Sequence, residues 1–495
     1  MAVLPSGGDS QYDHVPGYPC GSIADFAERS DEIGTTASLQ SRDAKTFALQ
    51  AEPSFSTSVT RMTDGASRAR SLMRIAIVGA GISGLVAAHL LHPEHQIVVY
   101  EAGDYAGGHT NTVRVEGERG TQDIDTGFIV MNDRNYPNFT RLLDRLGVAR
   151  QPTHMSFSVK AEQEDFEYAG TPRGLFCQPR NLRSPRFQRM ILDLLRFNRE
   201  LRAILAGDGT PASDEESLAE FLARRRFSDY FVQRLIVPQA AAVWSADPAQ
   251  MQSFPVRFLA EFFANHGMLG FRGRPQWSTI AGGSARYVEA LTASFREHIR
   301  LRTPVRAIER SPDGVIISTE EPSGAPASES FDQVVIATHS DQALEMLRDP
   351  SEAEREVLGS IPYQRNEAVL HTDGRLLPRR AAARAAWNYH LLAEPGPRST
   401  VTYWMNHLQR LQGADRDYCV TLNRSDAIDP RTVIRRIDYA HPVFTPAGVA
   451  AQARHGEISG TAGRTHYCGA YWGWGFHEDG VKSALDACAP LGVSL

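Results

Sequence analysis

Hydrophobic residues near position 75 form two short runs, at 75–78 and 97–100, on either side of a longer apolar run at 85–91. The two short runs are rich in β-branched residues, which is typical of strands that are buried on both faces. The middle run has the composition of a buried helix. The pattern therefore predicts a strand, a helix and a second strand, arranged as in a parallel βαβ unit.

Three glycines separate the first strand from the helix, namely Gly79, Gly81 and Gly84 in GxGxxG spacing. In dinucleotide-binding units the first glycine allows a tight turn, and the second lets a pyrophosphate approach the backbone. The third lets the helix pack closely on the strand. We predict a dinucleotide site here in preference to an ordinary glycine-rich turn, because the flanking elements agree with it.

The residues that flank these elements have matching roles. Ile82 and Ser83 begin the helix, whose N-terminus offers free N–H groups and a partial positive charge to phosphates. Glu101 follows the second strand and precedes Ala102; a carboxylate there accepts hydrogen bonds from ribose hydroxyls and disfavours a 2′-phosphate. These residues do not distinguish NAD from FAD.

Further along the chain, the hydrophobic pattern alternates between helical and strand-like periods. It predicts helices at 136–146, 187–206, 218–237 (with a cap at 213–216), 256–266, 285–291 and from 477. It predicts strands at 123–130, 155–170, 299–310, 315–319, 331–339, 362–372, 386–389, 400–404, 418–423 and from 465. We expect the apolar strand at 331–339 to join the parallel sheet beside the first strand.

Composition excludes several classes of protein. With 495 residues, 42% of them hydrophobic, the chain can form two or three globular domains. A net charge of −6 gives no electrostatic case for nucleic acid, and no apolar run reaches the roughly eighteen residues of a spanning helix. Five scattered cysteines favour a reducing, cytoplasmic location, with peripheral membrane contact left open. No metal site is expected at His89, His92 and His95, because Pro93 interrupts any shared helical face.

Seven sequence blocks together resemble the superfamily of flavin-containing amine oxidases, which includes protoporphyrinogen oxidase and phytoene desaturases. They are VGAGISGLVAA, EAGDYAGGHT, DTGFIV, IAGGSARYVEAL, VRAIERSPDGVII, FDQVVIATH and CGAYWGWGFHEDGVKSAL, in the order of the family. Further blocks (DTGFIVMNDRNYPNF, MSFSV and VTYWMN) are similar to a bacterial subgroup of NAD/FAD-binding proteins. Members of that subgroup are found near, or fused to, cyclopropane fatty acid synthases.

The resemblance implies an α/β flavoprotein fold, in which a Rossmann-like FAD-binding domain is interleaved with an α+β substrate domain. The expected FAD-binding domain comprises 73–150, 280–340 and 460–490, and the substrate domain comprises 151–279 and 341–459, with a helical part at 180–270. Residues 1–72 are polar and lack any sustained apolar period, so we expect a disordered extension. Translation starting at Met73 is a further expectation.

The resemblance also assigns residues to FAD beyond the first glycine turn. Those expected near the pyrophosphate and ribityl chain are Gly107, Gly108, His109, Thr110, Gly469 and Ala470. Val305 is expected to pair with adenine through its backbone. Those expected near the flavin ring are Thr126, Gly127, Phe128, Gly475, Phe476 and His477. The catalytic residues are unknown, and the candidates close to the ring are Phe476, Trp474, Tyr471 and Trp404.

This sequence departs from the family at several positions. Gly103, Tyr105 and His109 stand where amine oxidases usually have arginines, so phosphate charge must be met by the backbone, the helix dipole or arginines elsewhere. No lysine occurs between Lys160 and Lys482, which argues against the lysine-held water that many amine oxidases use. Phe476 replaces a common tyrosine of the aromatic cage, and a cage without hydroxyls suits an apolar chain at least as well as an amine.

Two smaller expectations concern residues near the predicted flavin. His109 and Cys468 are close enough in sequence to the flavin blocks to allow a covalent link, but we expect FAD to be bound non-covalently. Asp133 and Arg134 follow the flavin-proximal strand, where they could be catalytic; we expect them instead to cap the helix at 136–146.

The sequence therefore predicts an FAD-dependent oxidoreductase that takes hydride from a C–H or C–N bond onto the flavin. The preferred substrate is small to medium and apolar, with a fatty acyl or lipid chain as the first choice. An amine oxidase is the main alternative, and a flavin-bound, non-catalytic partner of a lipid-modifying enzyme is the second. An NAD-dependent dehydrogenase does not explain the C-terminal flavin block.

Overall fold

A computed structural model describes residues 72–207, 216–244, 247–270, 273–320, 324–394, 396 and 398–495. Apart from Leu72, the predicted extension lies outside the described residues, as do Ser213 and its neighbours at the predicted cap. Ser217 is the N-cap of the following helix, and it forms a reciprocal capping box with Glu220.

A five-stranded parallel sheet contains the predicted βαβ unit. Its spatial order is Ile299–Arg300, Gln96–Tyr100, Arg74–Val78, Gln333–Ile336 and Thr465–Tyr467. The strand Gln333–Ile336 pairs directly with Arg74–Val78, as predicted from its apolar run. Because all five strands are parallel, their carboxyl ends meet at one edge of the sheet, which is where ligands bind in such folds.

Both faces of this sheet are covered. Four helices pack on one face: Ile82–Leu91, Pro137–Leu146, Ala285–Thr292 and His477–Cys488. The other face packs on an antiparallel sheet (Val305–Ser311, Gly314–Glu320, Pro326–Phe331) and on the helices Ser340–Met346 and Glu352–Gly359. Burial on both faces explains the uninterrupted apolar strands, and the arrangement confirms the predicted α/β fold class.

A seven-stranded mixed sheet forms the second part of the structure. Its spatial order is Val433–Pro442, Tyr363–His371, Cys419–Leu422, Val401–Trp404, Trp387–Leu391, Phe157–Ala161 and Glu167–Ala169. The largest hydrophobic cluster joins this sheet to a set of helices. These are Pro172–Leu175, Pro185–Ala206, Leu218–Arg224, Asp229–Phe231, Val237–Trp244, Pro248–Met251 and Val256–Asn265. The short helix Pro179–Arg183 precedes Pro185–Ala206. The chain crosses repeatedly between the two sheets, as expected; its exact division into domains stays a prediction.

Smaller elements connect the two sheets. They are the hairpin Thr112–Gly117 and Gly120–Asp125, the three short strands Met131–Asn132, Trp277–Ile280 and Arg150–Thr153, and the short helices Met405–Leu408, Pro446–Gln452 and His455–Ile458. Within the described part of the chain, no helix is both long and apolar enough to cross a membrane.

The prediction of one continuous helix at 218–237 is wrong, because the structure divides this segment into separate helices. Helix Leu218–Arg224 is followed by Arg226, which has a left-handed backbone (φ 54°) that stops the helix from continuing. Phe227 then packs against Phe197 and Phe221. A new helix begins after Ser228 and passes through a π-helical turn, Val232–Ile236. Burial of Phe227 thus overrides a helical period that the sequence carries without interruption.

Some strand predictions also differ from the structure; the strand predicted at 123–130, for example, ends at Asp125. The strand predicted at 299–310 is interrupted at Arg302 (φ 52°), and the one predicted at 331–339 ends at Ile336. Val433–Pro442 was not predicted, although it pairs along almost the whole of Tyr363–His371. It is an edge strand rich in exposed arginine, so its sequence lacks the alternation of a half-buried strand.

Candidate active site

The turn after the first strand accepts only glycine at two of its three glycine positions. Gly79 has a φ of +100°, and a Cβ atom there would lie 2.9 Å from the carbonyl oxygen of Ala337. A Cβ atom on Gly84 would lie 1.9 Å from the carbonyl oxygen of Gly79. The first and third glycines therefore allow the turn and the close approach of helix to strand.

Gly81 is different, because no atom lies within 4 Å of the position that its Cβ would take. It is the N-cap of helix Ile82–Leu91, and no side chain caps this end. The first N–H groups of the helix therefore lack side-chain acceptors and lie beside open space. Such a site fits a phosphate group, which accepts these hydrogen bonds and carries the charge that a helix N-terminus favours.

The second glycine loop lies directly against the first. The Gly107 N–H donates to the Ala80 carbonyl at 2.8 Å, and Gly107 forms a β-bridge with Gly81. Gly108 has a φ of +59°, and a Cβ atom there would lie 3.1 Å from Cα of Gly81. Two loops that are 26 residues apart in sequence thus form one backbone cradle.

Glu101 closes this cradle at the end of the second strand. Its carboxylate accepts from the N–H of Ala80 at 2.8 Å and from the N–H of Gly103 at 2.7 Å. Each carboxylate oxygen keeps acceptor capacity after one such bond. The side chain is therefore fixed in place and still able to accept from ribose hydroxyls.

A large cavity of about 2040 Å³ runs from this cradle into the space beneath the second sheet. It exceeds the ~300–1,000 Å³ of an ordinary small-molecule pocket, so it has room for an extended cofactor and a second molecule. The sequence-predicted residues that line it are Gly79, Gly81, Ile82, Ser83, Glu101, Ala102, Gly107, Gly108, His109, Thr126, Gly127, Phe128, Val305, Gly469, Ala470, Tyr471, Trp474, Gly475, Phe476 and His477.

Three predicted residues are not among those that line the cavity. Gly84 lies behind the wall, at the contact of helix and strand. Trp404 donates its indole N–H to Asp417 at 2.9 Å and stacks on His407, so its proximity to the flavin ring is not supported. Thr110 is buried behind the wall, where it supports His477.

The imidazole of His477 is held from several sides. Thr110 Oγ1 lies 2.9 Å and the Tyr287 hydroxyl 3.1 Å from its Nε2 atom. The ring also stacks on Phe128, with centroids 3.7 Å apart. Burial lowers the pKa of His477 well below its usual value, so the ring is neutral. These contacts fix the start of helix His477–Cys488 at the cavity wall.

The prediction that Asp133 and Arg134 cap helix Pro137–Leu146 is wrong, because Glu478 caps this helix instead. The Glu478 carboxylate accepts from the N–H of Asn138 at 3.1 Å and from the N–H of Phe139 at 2.9 Å. Asp133 instead pairs with Arg150, and Arg134 donates to the carbonyl of Gly273. A carboxylate from the first turn of a neighbouring helix thus replaces the local cap. Because Glu478 is far from this helix in sequence, the sequence pattern could not predict that it caps the helix.

Four cavity residues near His109 were missed by the sequence analysis: His339, Tyr363, Tyr439 and His441. His109 stacks on Tyr439 at 4.8 Å between centroids and lies 5.1 Å from the ring of His441. His339 stacks on Tyr363 at 4.2 Å. The alternation of Tyr439 and His441 on one strand could have indicated a shared face, had that strand been predicted.

These histidines carry no charge at neutral pH. Burial, the largest cause, lowers the pKa of His109 and of His339 to about 4 and that of His441 to about 3, and each ring also lowers the pKa of a neighbour. His109 therefore does not replace the positive charge of the arginine that is usual in the resembling family. Backbone N–H groups, the helix N-terminus and the lining arginines Arg306 and Arg365 are left to meet phosphate charge.

Cys468 was the other candidate for a covalent link to the flavin. It is fully buried in the helix-covered face of the parallel sheet and is not among the lining residues. Its thiol has a strongly raised pKa because of burial, which keeps it in the unreactive protonated form. This position favours the non-covalent binding that the sequence predicts.

The part of the cavity beneath the second sheet is mainly apolar. Its wall includes Met155, Phe157, Tyr168, Leu175, Met190, Ile191, Leu194, Leu235, Val243, Trp244, Phe262, Phe263, Met268, Trp277, Trp387 and Leu422. Within 153–277 and 384–422, the charged side chains among the described lining residues are Arg274 and Arg384, both cationic. Phe476 stacks on Phe262 at 5.5 Å, where this wall meets the cradle.

Comparison with known proteins agrees with this geometry. The fold is similar to cyclohexylamine oxidase from Brevibacterium oxydans IH-35A, with a TM-score of 0.61 and 17% identity over 85% of this chain and 98% of that one. It is also similar to a CLA-producing fatty acid isomerase from P. acnes, with a TM-score of 0.58 and 15% identity over 85% of this chain and 99% of that one. The fold and cradle thus define the class as a Rossmann-type dinucleotide-binding protein.

The chain belongs to the family described as flavin containing amine oxidoreductase, whose model matches residues 82–491. Mitochondrial protoporphyrinogen oxidase of Nicotiana tabacum is 26% identical over 314 residues, which is 55% of this chain and 59% of that protein. The chain thus spans less than two thirds of that relative's length. These findings confirm the predicted family and FAD as the cofactor, and the open cradle at Gly81 fits that group.

The glycine turn allows a direct test of the cradle. We expect Gly84→Ala to destabilise the protein by ~1–3 kcal/mol, because its Cβ meets backbone that cannot move freely. Gly81→Ala should leave the melting temperature of the flavin-free protein unchanged but lower FAD affinity by at least about tenfold, since the new methyl group occupies the space for phosphate. Thermal melting and fluorescence titration with FAD measure the two effects. Unchanged FAD affinity in Gly81→Ala would contradict this assignment.

The buried histidines predict a dependence of stability on pH. Since their pKa values are lowered in the folded protein, the unfolded chain takes up protons first as the pH falls below ~6.5. The contribution of these histidines to the free energy of unfolding should therefore be fully present above that pH and should fall toward pH 5. Replacing His441 by Gln should reduce this fall by on the order of 1 kcal/mol in denaturant titrations at the two pH values. The exposed His298→Gln is the control, and an equal fall in all three proteins would refute the prediction.

Proposed function

We propose that this protein is an FAD-dependent oxidoreductase that removes hydride from an apolar substrate, with a fatty acyl or lipid chain as the preferred class. The observation that carries the proposal is the cavity wall formed by 153–277 and 384–422, which is mainly apolar and whose charged side chains among the described lining residues are Arg274 and Arg384. FAD, when bound, supplies the two-electron acceptor for this chemistry.

The charge on the wall favours an acyl chain over an amine. An ammonium substrate would leave water for the wall formed by 153–277 and 384–422, where Arg274 and Arg384 are the charged groups among the described lining residues, and it would gain no compensating carboxylate from that wall. A hydrocarbon chain is instead transferred from water into an apolar environment, which is favourable by ~25 cal/mol for each Å² buried. An anionic end group would find a cationic partner on the same wall.

The residues of this chain have three roles in the proposed reaction. The apolar wall excludes water from the reacting bond. Phe476 and Trp474, which lie where the wall meets the cradle, orient the chain. The N-terminus of helix His477–Cys488 is fixed at the cavity wall by the contacts of His477, where it stabilises negative charge that develops during reduction.

The comparisons support more than one substrate class. The fatty acid isomerase shares the fold, which agrees with an acyl chain, whereas the cyclohexylamine oxidase agrees with an amine. An amine oxidase is our second candidate, since Trp474 and Phe476 retain part of an aromatic cage that can bind an ammonium group through cation–π contacts. Substrate tests separate the two.

Anaerobic reduction of the bound flavin tests the proposal. We expect fatty acids or their esters to bleach the flavin absorbance, and primary and secondary amines of similar size to leave it unchanged. Bleaching by amines alone would establish the second candidate. If neither class bleaches the flavin, and activity appears only when a lipid-modifying enzyme is added, the protein is the non-catalytic partner.

Arg384 provides a test of the anionic end group. Its Nε donates to the carbonyl of Pro378 at 3.0 Å, and its Nη1 lies 3.8 Å from Asp417, which leaves donors for a ligand. We expect Arg384→Gln to raise the Kd of a free fatty acid by about tenfold, as for the loss of one charge-assisted hydrogen bond, and to leave the Kd of its methyl ester unchanged. The exposed Arg296→Gln is the matched control, and equal effects on acid and ester would exclude Arg384 as the anchor.

A further inference from the structure

Large hydrophobic side chains are exposed on the helical part of the structure. Leu182 is 62% exposed, Leu192 62% and Leu195 47%. Leu192 and Leu195 lie one turn apart on helix Pro185–Ala206, and Leu182 precedes that helix. Exposed apolar groups that cluster in this way mark an interaction surface more often than an ordinary solvated face.

The same leucines are at the mouth of the cavity. Leu192 and Leu195 line the cavity although about half of each side chain is exposed to solvent. Ile191 and Leu194, on the adjoining face of the same helix, continue this apolar surface inward. A path without charged groups thus leads along this helix from the protein surface into the cavity.

Arginines surround the exposed leucines. Residues 179–206 contain seven arginines and two acidic residues, in a chain whose net charge is −6. Exposed arginines occur on this helix both before and after Leu192 and Leu195: they are Arg186, Arg189, Arg199 and Arg202. Among the described residues, Arg183 and Arg186 make no ion pair, while the acidic Asp193 is buried and is neutralised by Arg189 and Arg196.

We propose that this surface, the segment 179–206 with Leu182, Leu192 and Leu195, docks on an anionic lipid bilayer and takes substrate from it into the cavity. The inference rests on the proposed function, since a fatty acyl or lipid chain partitions into a bilayer rather than into water. A helix with leucines between arginines inserts its apolar side chains at the interface, while the arginines contact lipid phosphates. The guanidinium group suits phosphate because it binds two oxygens at once.

The charge on the surface argues against a second copy of the chain as the occupant. A symmetric dimer through this helix would bring two arginine-rich faces together, and like charges repel at that range. An anionic bilayer provides negative charge that pairs with the arginines and an apolar interior that accepts the exposed leucines. The geometry therefore favours lipid.

Co-sedimentation of the FAD-loaded protein with vesicles tests the proposal. We expect binding to vesicles of equimolar phosphatidylcholine and phosphatidylglycerol, and little binding to phosphatidylcholine alone or at high salt, which screens the charges. Leu192→Ser/Leu195→Ser and, separately, Arg183→Gln/Arg186→Gln should each weaken binding by at least about tenfold. The flavin absorbance spectrum checks that each variant is folded.

Matched controls on other surfaces complete the design. Ile316→Ser/Ile434→Ser removes exposed apolar groups elsewhere, and Arg296→Gln/Arg355→Gln removes exposed charge elsewhere; both should bind as the parent does. Equal losses in controls and test variants would overturn the proposal, as would the absence of vesicle binding. A dimer in sedimentation velocity that Leu192→Ser/Leu195→Ser dissociates, with no vesicle binding, would also overturn it in favour of self-association.

The two proposals fail in different measurements. Vesicle binding requires no turnover, so docking can be refuted while acyl chains still reduce the flavin in detergent. Conversely, bleaching by amines alone refutes the proposed substrate and does not by itself decide whether the protein docks on vesicles. Docking at this surface is refuted separately, if vesicle binding is unaffected by Leu192→Ser/Leu195→Ser.

Discussion

The close approach of helix Ile82–Leu91 to strand Arg74–Val78 is the constraint on which the rest of the structure depends. It requires that Gly84 have no side chain, because a Cβ atom there would overlap the carbonyl of Gly79. The approach brings the helix N-terminus to the edge where all five parallel strands end. A phosphate group can bind at that edge only if it can come close to the backbone N–H groups without meeting a side chain. The open space at Gly81 satisfies this condition.

A second helix N-terminus reaches the same cavity from the other end of the chain. Helix His477–Cys488 packs closely on Ile82–Leu91, and a Cβ atom on Gly480 would lie 2.8 Å from the side chain of Ile82. Glu478 extends this arrangement, because its carboxylate caps a third helix, Pro137–Leu146. The cradle is therefore built from elements more than three hundred residues apart, and each one restricts the positions of the others.

Charge divides the cavity into two regions with different roles. In the cradle, backbone N–H groups are available for phosphate, while the buried histidines beside it remain neutral. Along 153–277 and 384–422, the wall is mainly apolar and its charged groups among the described lining residues are arginines. This division is consistent with an anionic cofactor at one end and with an apolar chain, open to the surface at Leu192 and Leu195, at the other.

The sequence by itself determined the first glycine turn and its flanking elements, since their physical requirements are local: uninterrupted apolar strands, glycines at fixed spacing and an acid after the second strand. The hairpin at Ser311–Gly314 was predicted for the same reason, because its turn residues specify their own geometry. Only the tertiary structure decided which distant side chains meet. The Glu478 cap, the support of His477 by Thr110 and Tyr287, the break after Arg224 and the edge strand Val433–Pro442 all depend on partners far away in sequence. Such contacts produce no periodic pattern of hydrophobic and polar residues in the sequence. The free energy that selects them comes from packing between elements and not from either element alone.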